Sequence, residues 1–121
     1  LQLMAQGTQY QAAEISNAAN WFKGFCKDHD IAGIGLAQLN RDVTGRENKR
    51  PNLADLKGSG GLEEASDSVV LIHNDKYYDQ KQSNPSEPQE VDLFVGKNRH
   101  GPNNVIAKAY FIPEQTAFRS A

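Results

Sequence analysis

The chain has 121 residues, enough for one domain with a modest hydrophobic core. Its 13 lysines and arginines stand against 15 aspartates and glutamates, so the net charge of −2 does not by itself indicate a nucleic-acid partner. Cys26 is the only cysteine, which excludes an internal disulfide and favours a reducing cytoplasm. The sequence shows no signal-peptide pattern and no apolar run long enough to span a membrane. We therefore expect a cytoplasmic protein.

The first part of the chain predicts a strand end followed by a helix. Leu1-Gln-Leu-Met4 is typical of the tail of a strand whose beginning is missing, so we expect a fragment. Thr8 to Gln11 follows the capping-box pattern of a helix start. Apolar residues then recur at three- and four-residue steps, which predicts an amphipathic helix ending near Asp28. These residues are Ala12, Ile15, Ala18, Ala19, Phe22, Phe25 and Cys26.

The segment from Ile31 to Arg41 begins as a continuous apolar run and ends in polar residues. Such a run after a helix predicts a strand buried on both faces of a parallel sheet. Gly33 and Gly35 are weak strand residues, which suggests that something packs closely against the backbone there. Open α/β sheets bind ligands beyond the carboxyl ends of their strands, so Gln38 is a candidate site residue. The alternative is that Gln38 only caps the strand at the surface.

A long polar segment, from Arg41 to Gly61, follows this predicted strand. Between Arg41 and Lys57 it holds more basic residues (Arg41, Arg46, Lys49, Arg50, Lys57) than acidic ones (Asp42, Glu47, Asp55). The glycines of Lys57-Gly-Ser-Gly-Gly61 let backbone N–H groups approach a phosphate, so the segment is a candidate polyanion site. A solvated flexible loop is the alternative.

The second half of the chain predicts mostly strands. Leu62–Ser66 is expected to be a short helix, and Val69–Ile72 a second buried strand that ends at His73. His73 has no second His or Cys at metal-binding spacing, so we do not expect a metal site. Tyr77–Pro88 is turn-rich and predicts a surface loop. Two further strands, residues 91–95 and 105–112, are expected to form an antiparallel hairpin whose turn carries Lys97, Arg99 and His100.

Several stretches, in order along the chain, resemble the ATPase domain of bacterial and phage replicative DNA helicases of the DnaB type. The matching pieces are LQLM, LAQLNR, NKRPNLADLKGSGGLEE, DSVVLIHNDKYY and GKNRHGP, which together span nearly the whole chain. The resemblance implies an α/β fold, namely a partial RecA-like P-loop NTPase fold with a mostly parallel sheet, flanking helices and a C-terminal antiparallel hairpin. Residues 1–121 would be the C-terminal portion of that domain, with the Walker A P-loop, the catalytic Glu and the Walker B Asp lying upstream.

The resemblance also implies roles for single residues. Gln38 corresponds to the polar sensor that couples the γ-phosphate to the DNA-binding loops. Lys97 and Arg99 resemble the finger residues that reach the nucleotide of a neighbouring subunit. These three are the expected catalytic and nucleotide-binding residues, and the expected DNA-binding residues are Arg50, Lys57, Ser59 and Gly60. The family commonly has Arg-Glu where this chain has Lys57-Gly58, and Arg where it has Asn74.

The function implied by the resemblance is that of a hexameric, ATP-dependent replicative helicase that translocates on single-stranded DNA and unwinds the duplex at the replication fork. ATP and Mg²⁺ would be bound mainly by residues upstream of this chain, so the chain alone is expected to hydrolyse no ATP. Expected partners are single-stranded DNA, identical subunits in a homo-hexamer, primase and a helicase loader, but no membrane. Two alternatives stay open: another RecA-fold ring ATPase, recombinase-like or regulatory, and a non-catalytic nucleic-acid-binding module.

Overall fold

A computed structural model describes residues 11–39, 45, 47, 50–56, 60–78 and 87–121. The chain divides into two compact units, each described by itself below. The helical unit comprises Leu1–Asn40 and Asn52–Asp67, and the sheet unit comprises Arg41–Pro51 and Ser68–Ala121. In chain order the elements are α1 (Gln11–Asp28), a 3₁₀ helix (Leu53–Leu56), α2 (Gly60–Ala65), β1 (Ser68–His73), α3 (Asp75–Tyr78), β2 (Gln89–Asn98), β3 (Val105–Ile112), a second 3₁₀ helix (Pro113–Gln115) and β4 (Ala117–Ser120).

The helical unit is built on the packing of α1 against α2. Its buried apolar cluster comes from both helices: Ile15, Ala19, Leu62 and Ala65. The Lys23 ammonium donates to the Ala65 carbonyl at 2.8 Å and pairs with Asp67 at 2.9 Å, which satisfies an otherwise unpaired carbonyl at the end of α2. Both predicted helices are confirmed, whereas the proposed cap at Thr8 lies outside the described residues. No helix among the described residues is long and apolar enough to cross a membrane.

Helix α1 ends in a motif that turns the chain back against the helix. Asp30 has a left-handed backbone, with φ of 51°. The Ile31 N–H donates to the Cys26 carbonyl at 2.9 Å, and the Asp30 N–H donates to the Lys27 carbonyl at 3.3 Å, which together form a Schellman motif. A Cβ at Gly33 would lie 2.5 Å from the Cys26 sulfur, so a side chain would fit there only if Cys26 and its neighbours shifted. The close packing predicted at Gly33 is therefore confirmed.

The predicted strand over Ile31–Arg41 is the largest difference between expectation and structure. Residues 31–39 form neither strand nor helix, and the side chains of Ile34 and Leu36 are 88% and 82% exposed. The prediction of a strand buried on both faces is therefore wrong for this segment. An apolar run forms a strand only when the N–H and C=O groups of its backbone make hydrogen bonds to an adjacent strand. None of the described strands pairs with residues 31–39.

The sheet unit contains a four-stranded sheet in the order β1-β2-β3-β4, with every neighbouring pair antiparallel. The β2–β3 hairpin runs from the pair Gln89–Phe111 to the pair Val95–Val105, which confirms the predicted antiparallel hairpin. The β1–β2 register shifts between Val69 and Val70, which is a β-bulge.

Burial in this sheet alternates in the second half of β1 and at the start of β2. Val91 and Ala109 are buried at its centre, together with Leu71 of β1. The predicted strand β1 is confirmed, but its expected burial on both faces is wrong, because Val70 and Ile72 are exposed. In the described sheet β1 is an edge strand of an antiparallel arrangement, which leaves one face for solvent.

The segment predicted as a surface loop, Tyr77–Pro88, begins within a helix. Residues 77 and 78 belong to the single turn of α3, so the loop prediction is wrong at its start. Residues 79–86 lie outside the described part of the chain, and Glu87 and Pro88 are exposed.

Candidate nucleotide and DNA contact sites

The turn between β2 and β3, residues 99–104, is here called the hairpin tip. Its closing residue, Asn104, has a left-handed backbone with φ of 56°, a conformation that asparagine tolerates better than most residues. The Asn104 N–H donates to the Val95 carbonyl at 2.8 Å, which fastens the tip to β2. The β2–β3 ladder begins next to this hydrogen bond, at the pair Val95–Val105, so the sheet holds both ends of the hairpin tip.

Asn98 connects the hairpin tip to the neighbouring strand. Its side-chain amide donates to the Pro102 carbonyl at 3.4 Å, and its side-chain oxygen accepts a bond from the Ser68 hydroxyl at 3.2 Å. A Cβ at Gly101 would lie 2.7 Å from the Asn98 amide nitrogen, so glycine is what fits beside this bridge. Sequence reasoning missed Asn98, although an asparagine at a turn commonly bonds nearby backbone and could have suggested such a role.

Lys97 and Arg99 flank Asn98, so the structure brings both predicted finger residues to one end of the hairpin. Lys97 is half-buried near the end of β2, opposite Val69 at the bulge, so its predicted place in the turn is wrong: the ladder with β1 extends past it. Arg99 is exposed at the start of the hairpin tip, next to His100. A guanidinium in this position can bind two oxygens of a phosphate, whereas an ammonium offers a compact point charge. The arrangement can therefore present two cations to an anion.

Gln38 lies in the helical unit, at the end of the segment 31–39, and its side chain is exposed. Lys97 and Arg99 belong to the sheet unit. The role of Gln38 as a sensor stays a prediction.

The predicted DNA-binding residues are distributed over both units. Arg50 belongs to the sheet unit, where its guanidinium donates to the Asp92 carboxylate at 2.7 Å. Gly60 is the first residue of α2 in the helical unit. Lys57 and Ser59 lie outside the described residues. Sequence reasoning did not anticipate Asp92 as a partner of Arg50, because the two are 42 positions apart and no local pattern links them.

Gly61 has a packing role that the sequence did not reveal. A Cβ at this position would lie 2.7 Å from the Cα of Ser16, and closer still to the Ser16 side chain. The glycine thus allows α2 to approach α1 closely. Gly61 is the last glycine of the stretch that was predicted to admit a phosphate, and in the structure it permits the contact between α1 and α2.

One face of the β2–β3 ladder carries a network of charges. The Lys108 ammonium donates to the Glu90 carboxylate, and this hydrogen bond raises the pKa of Lys108 above 10.5, with further contributions from the negative charges of Glu90 and Asp92. Asp92 lies directly opposite Lys108 in the ladder.

His73, at the end of β1, is buried, with its Nε2 atom 2.7 Å from the Asp75 carboxylate. Among the described residues no group of three or more His, Cys, Asp or Glu could hold a metal ion.

Comparison with known proteins places these features in one family. The model of the DnaB-like helicase C-terminal domain matches residues 1–120. A curated relative, the replicative DNA helicase DnaB of Leifsonia xyli subsp. xyli, is 37% identical over 112 residues, which cover 91% of this chain and 24% of the relative. The chain thus spans about a quarter of the length of this relative.

Solved structures agree with the match to the family model. A solved ATPase domain aligns with a TM-score of 0.84 and 32% identity, covering 100% of this chain and 42% of that one. A DnaB-like replicative helicase, solved in a study of its interactions with primase, aligns with a TM-score of 0.81 and 31% identity, covering 97% of this chain and 27% of that one. The chain therefore belongs to the DnaB-like helicase C-terminal domain family and has the partial RecA-like ATPase fold that its sequence predicted.

Proposed function

We propose that this chain, residues 1–121, is the C-terminal portion of the ATPase domain of a replicative DNA helicase. The whole protein would form a hexameric ring, translocate on single-stranded DNA and unwind the duplex at the replication fork. The observation that carries the proposal is the exposed Arg99 on the hairpin tip, whose backbone is held by the Asn98 and Asn104 hydrogen bonds. The chain also matches the DnaB-like helicase C-terminal domain family over residues 1–120. A ring of such subunits can couple ATP hydrolysis to movement because one subunit completes the site of the next.

The hairpin tip fits the phosphates of a nucleotide. Arg99 and Lys97 are cationic, and the backbone that carries them is held by the sheet and by the Asn98 bridge. Preorganised cations stabilise the charge that develops on a transferring phosphoryl group. When bound, ATP supplies the phosphoryl group whose transfer to water drives the motor. The described residues offer no ligand set for Mg²⁺, so we propose that its ligands lie outside them.

In this proposal Arg99 acts across a subunit boundary. A hairpin tip that projects from its own sheet is suited to reach a neighbouring molecule, and the planar fork of Arg99 can bind two phosphate oxygens. Lys97, half-buried at the base of the tip, supplies a second positive charge. Gln38 is the proposed sensor that links the γ-phosphate to the DNA-binding segment. Its polar side chain is exposed, as contact with a bound nucleotide requires.

We propose that the segment from Arg41 to Gly61 contacts the backbone of single-stranded DNA. Lys57, Ser59 and Gly60 are the proposed contacts, through a positive charge and through N–H groups that approach phosphates without reading bases. Arg50 belongs to the same segment and was predicted to bind DNA with them. Identical subunits, primase and a helicase loader are the further partners proposed, and the cytoplasm is the proposed location.

The test mixes two inactive variants of the full-length protein. One is defective at its P-loop, and the other carries Arg99→Ala. Each alone should form rings and fail to hydrolyse ATP. Mixed rings contain interfaces that pair an intact P-loop with an intact Arg99, so part of the activity should return. Arg119→Ala is a matched control, because Arg119 is an exposed arginine on β4 of the same sheet, and this variant should keep normal activity.

Two results would contradict the proposal. If Arg99→Ala rings hydrolyse ATP at the normal rate, Arg99 does not complete a nucleotide site. If they are inactive and mixing restores nothing, Arg99 does not act in trans. Active rings that fail to separate a forked DNA duplex would instead indicate a ring ATPase that is not a helicase.

A further inference from the structure

Strand β2 is supported differently on its two sides where it enters the hairpin tip. The β2–β3 ladder ends at Val95, so β3 pairs with none of the described residues Gly96–Asn98. The β1–β2 ladder continues further, as far as the pair Ser68–Asn98. Strand β1, and not the hairpin partner β3, therefore holds the backbone directly before Arg99.

The β-bulge lies in this extension of the β1–β2 ladder. Val70 pairs with Val95, and the next pair towards the hairpin tip is Val69–Lys97. Gly96, which lies between them on β2, is therefore the extra residue of the bulge, and it is buried. A bulge bends its strand, increases the local twist and re-aims the side chains that follow. The direction in which β2 enters the hairpin tip is thus set where β2 meets β1.

The side chain of Ser68 adds a contact at the end of this ladder. Its hydroxyl donates to the side-chain oxygen of Asn98 at 3.2 Å, and the Asn98 amide donates to the Pro102 carbonyl at 3.4 Å. Asn98 thereby connects β1 with the far side of the hairpin tip, and Arg99 lies in the chain between Asn98 and Pro102. Both hydrogen bonds are longer than the commonest ones, so each contributes only modestly to the stability of the sheet.

We propose that Ser68 is a positioning residue for Arg99: through Asn98 it orients the hairpin tip so that the guanidinium meets the phosphates of a nucleotide bound by the neighbouring subunit. Ser68 itself touches no nucleotide. A catalytic group that is misplaced by about 1 Å can lose about a hundredfold in rate, so a contact that matters little for stability can matter for catalysis. The inference rests on the proposed function, since it presupposes that Arg99 completes a nucleotide site.

The experiment measures ATP hydrolysis by the full-length protein with Mg²⁺ and saturating single-stranded oligothymidylate. Ser68→Ala should lower kcat roughly threefold, in line with the loss of one exposed hydrogen bond. The KM for ATP should stay unchanged, because a cation aimed at developing charge acts on the transition state and not on the bound substrate. Ser68 is exposed, so Tm should change by less than about 2 °C. Ser68→Thr keeps a hydroxyl and should restore the normal rate.

Asn98 tests whether the hydroxyl of Ser68 acts through this connection. Asn98→Ala removes the acceptor of the Ser68 hydroxyl, so a double variant with Ser68→Ala should be no slower than Asn98→Ala alone. Ser120→Ala is the matched control, because Ser120 is an exposed serine of the same sheet that pairs with Ala109, away from the hairpin tip. This control should keep the normal rate.

Arg99→Ala separates failure of this inference from failure of the proposed function. If Arg99→Ala rings hydrolyse ATP at the normal rate, Arg99 completes no nucleotide site and both ideas fall. If Arg99→Ala abolishes hydrolysis but Ser68→Ala keeps a normal kcat, only the positioning role is overturned. A loss that Ser68→Thr does not restore, or a double variant slower than Asn98→Ala, overturns it as well. A raised KM or a clear fall in Tm in Ser68→Ala would show a structural role instead.

Discussion

Gly61→Ala is the substitution for which the structure predicts the clearest loss of stability. Both Gly61 and its neighbour Ser16 lie in the helical unit, where α2 packs on α1. An added Cβ would lie 2.7 Å from the Cα of Ser16. It would lie closer still to the Cβ of Ser16. Favourable contacts between carbon atoms occur at about 3.5–4.0 Å, so the two helices must separate by at least about 1 Å at this point.

The size of the effect follows from two opposing contributions. Overpacking of a well-packed contact typically costs about 1–3 kcal/mol. The upper end applies to Gly61→Ala because the new methyl meets the Cα and the Cβ of Ser16, and no side-chain rotation can move either atom. Alanine favours a helix over glycine by about 1 kcal/mol, which offsets part of this cost. We therefore expect a net destabilisation of about 2 kcal/mol, which corresponds to a fall in Tm of roughly 4–8 °C for a domain of about 150–250 residues.

The assay is thermal unfolding of the full-length protein, followed by circular dichroism and by calorimetry. Gly60→Ala provides the control in the preceding residue of the same helix, since a Cβ there meets no heavy atom within 4 Å among the described residues. This control should leave stability unchanged or raise it by up to about 1 kcal/mol, because alanine favours a helix over glycine and meets no clash here. The steric cost would then be separated from the general effect of replacing glycine in α2.

A Gly61→Ala protein as stable as the Gly60→Ala protein would refute the reasoning. It would mean that α1 and α2 do not approach each other at Ser16 as closely as the structure describes. Equal losses in both variants would refute it as well, because a shared loss reflects the start of α2 and not its contact with α1.

Three further predictions follow from single contacts. Gly33→Ala should lower Tm, because its methyl would lie 2.5 Å from the Cys26 sulfur. The Cys26 side chain can move aside, so the free energy of unfolding should fall by only about 1 kcal/mol. An unchanged Tm would contradict this prediction. Glu90→Gln should lower the raised pKa of Lys108 towards 10.5, which NMR titration can measure. In the unsubstituted protein the Glu90–Lys108 ion pair persists at pH values below that raised pKa and is lost as pH rises through it. Asn98→Ala should slow ATP hydrolysis roughly fivefold while DNA affinity stays unchanged, because the hairpin tip loses two hydrogen bonds; a normal rate would show that the bridge does not position the tip.

Features that depend on near neighbours in the chain could be predicted from the sequence. Helix α1 follows from apolar residues at three- and four-residue steps, and the β2–β3 hairpin follows from two apolar runs, the second of them alternating, joined by a turn that ends in Gly101-Pro102. Arg99 and His100 were placed in the turn of this hairpin for the same reason, whereas Lys97, which was also placed in the turn, belongs to strand β2. The resemblance to a family came from short motifs in a fixed order, which also need no knowledge of distant contacts.

Features that depend on distant partners were decided by the tertiary structure. The apolar run after α1 had the composition of a buried strand, yet residues 31–39 belong to none of the described strands and Ile34 and Leu36 are exposed, because composition alone does not specify which strand a segment joins. Arg50 was predicted to bind DNA from its charge and its place in the motif, and only folding brings its guanidinium within 2.7 Å of Asp92, which is 42 positions away in the chain. Gly61 had the pattern of a flexible phosphate-binding glycine, but the approach of Ser16 gives it a packing role. The chain by itself determined which residues could form helices, turns and charged tips, whereas only the folded arrangement decided which distant group each of them meets.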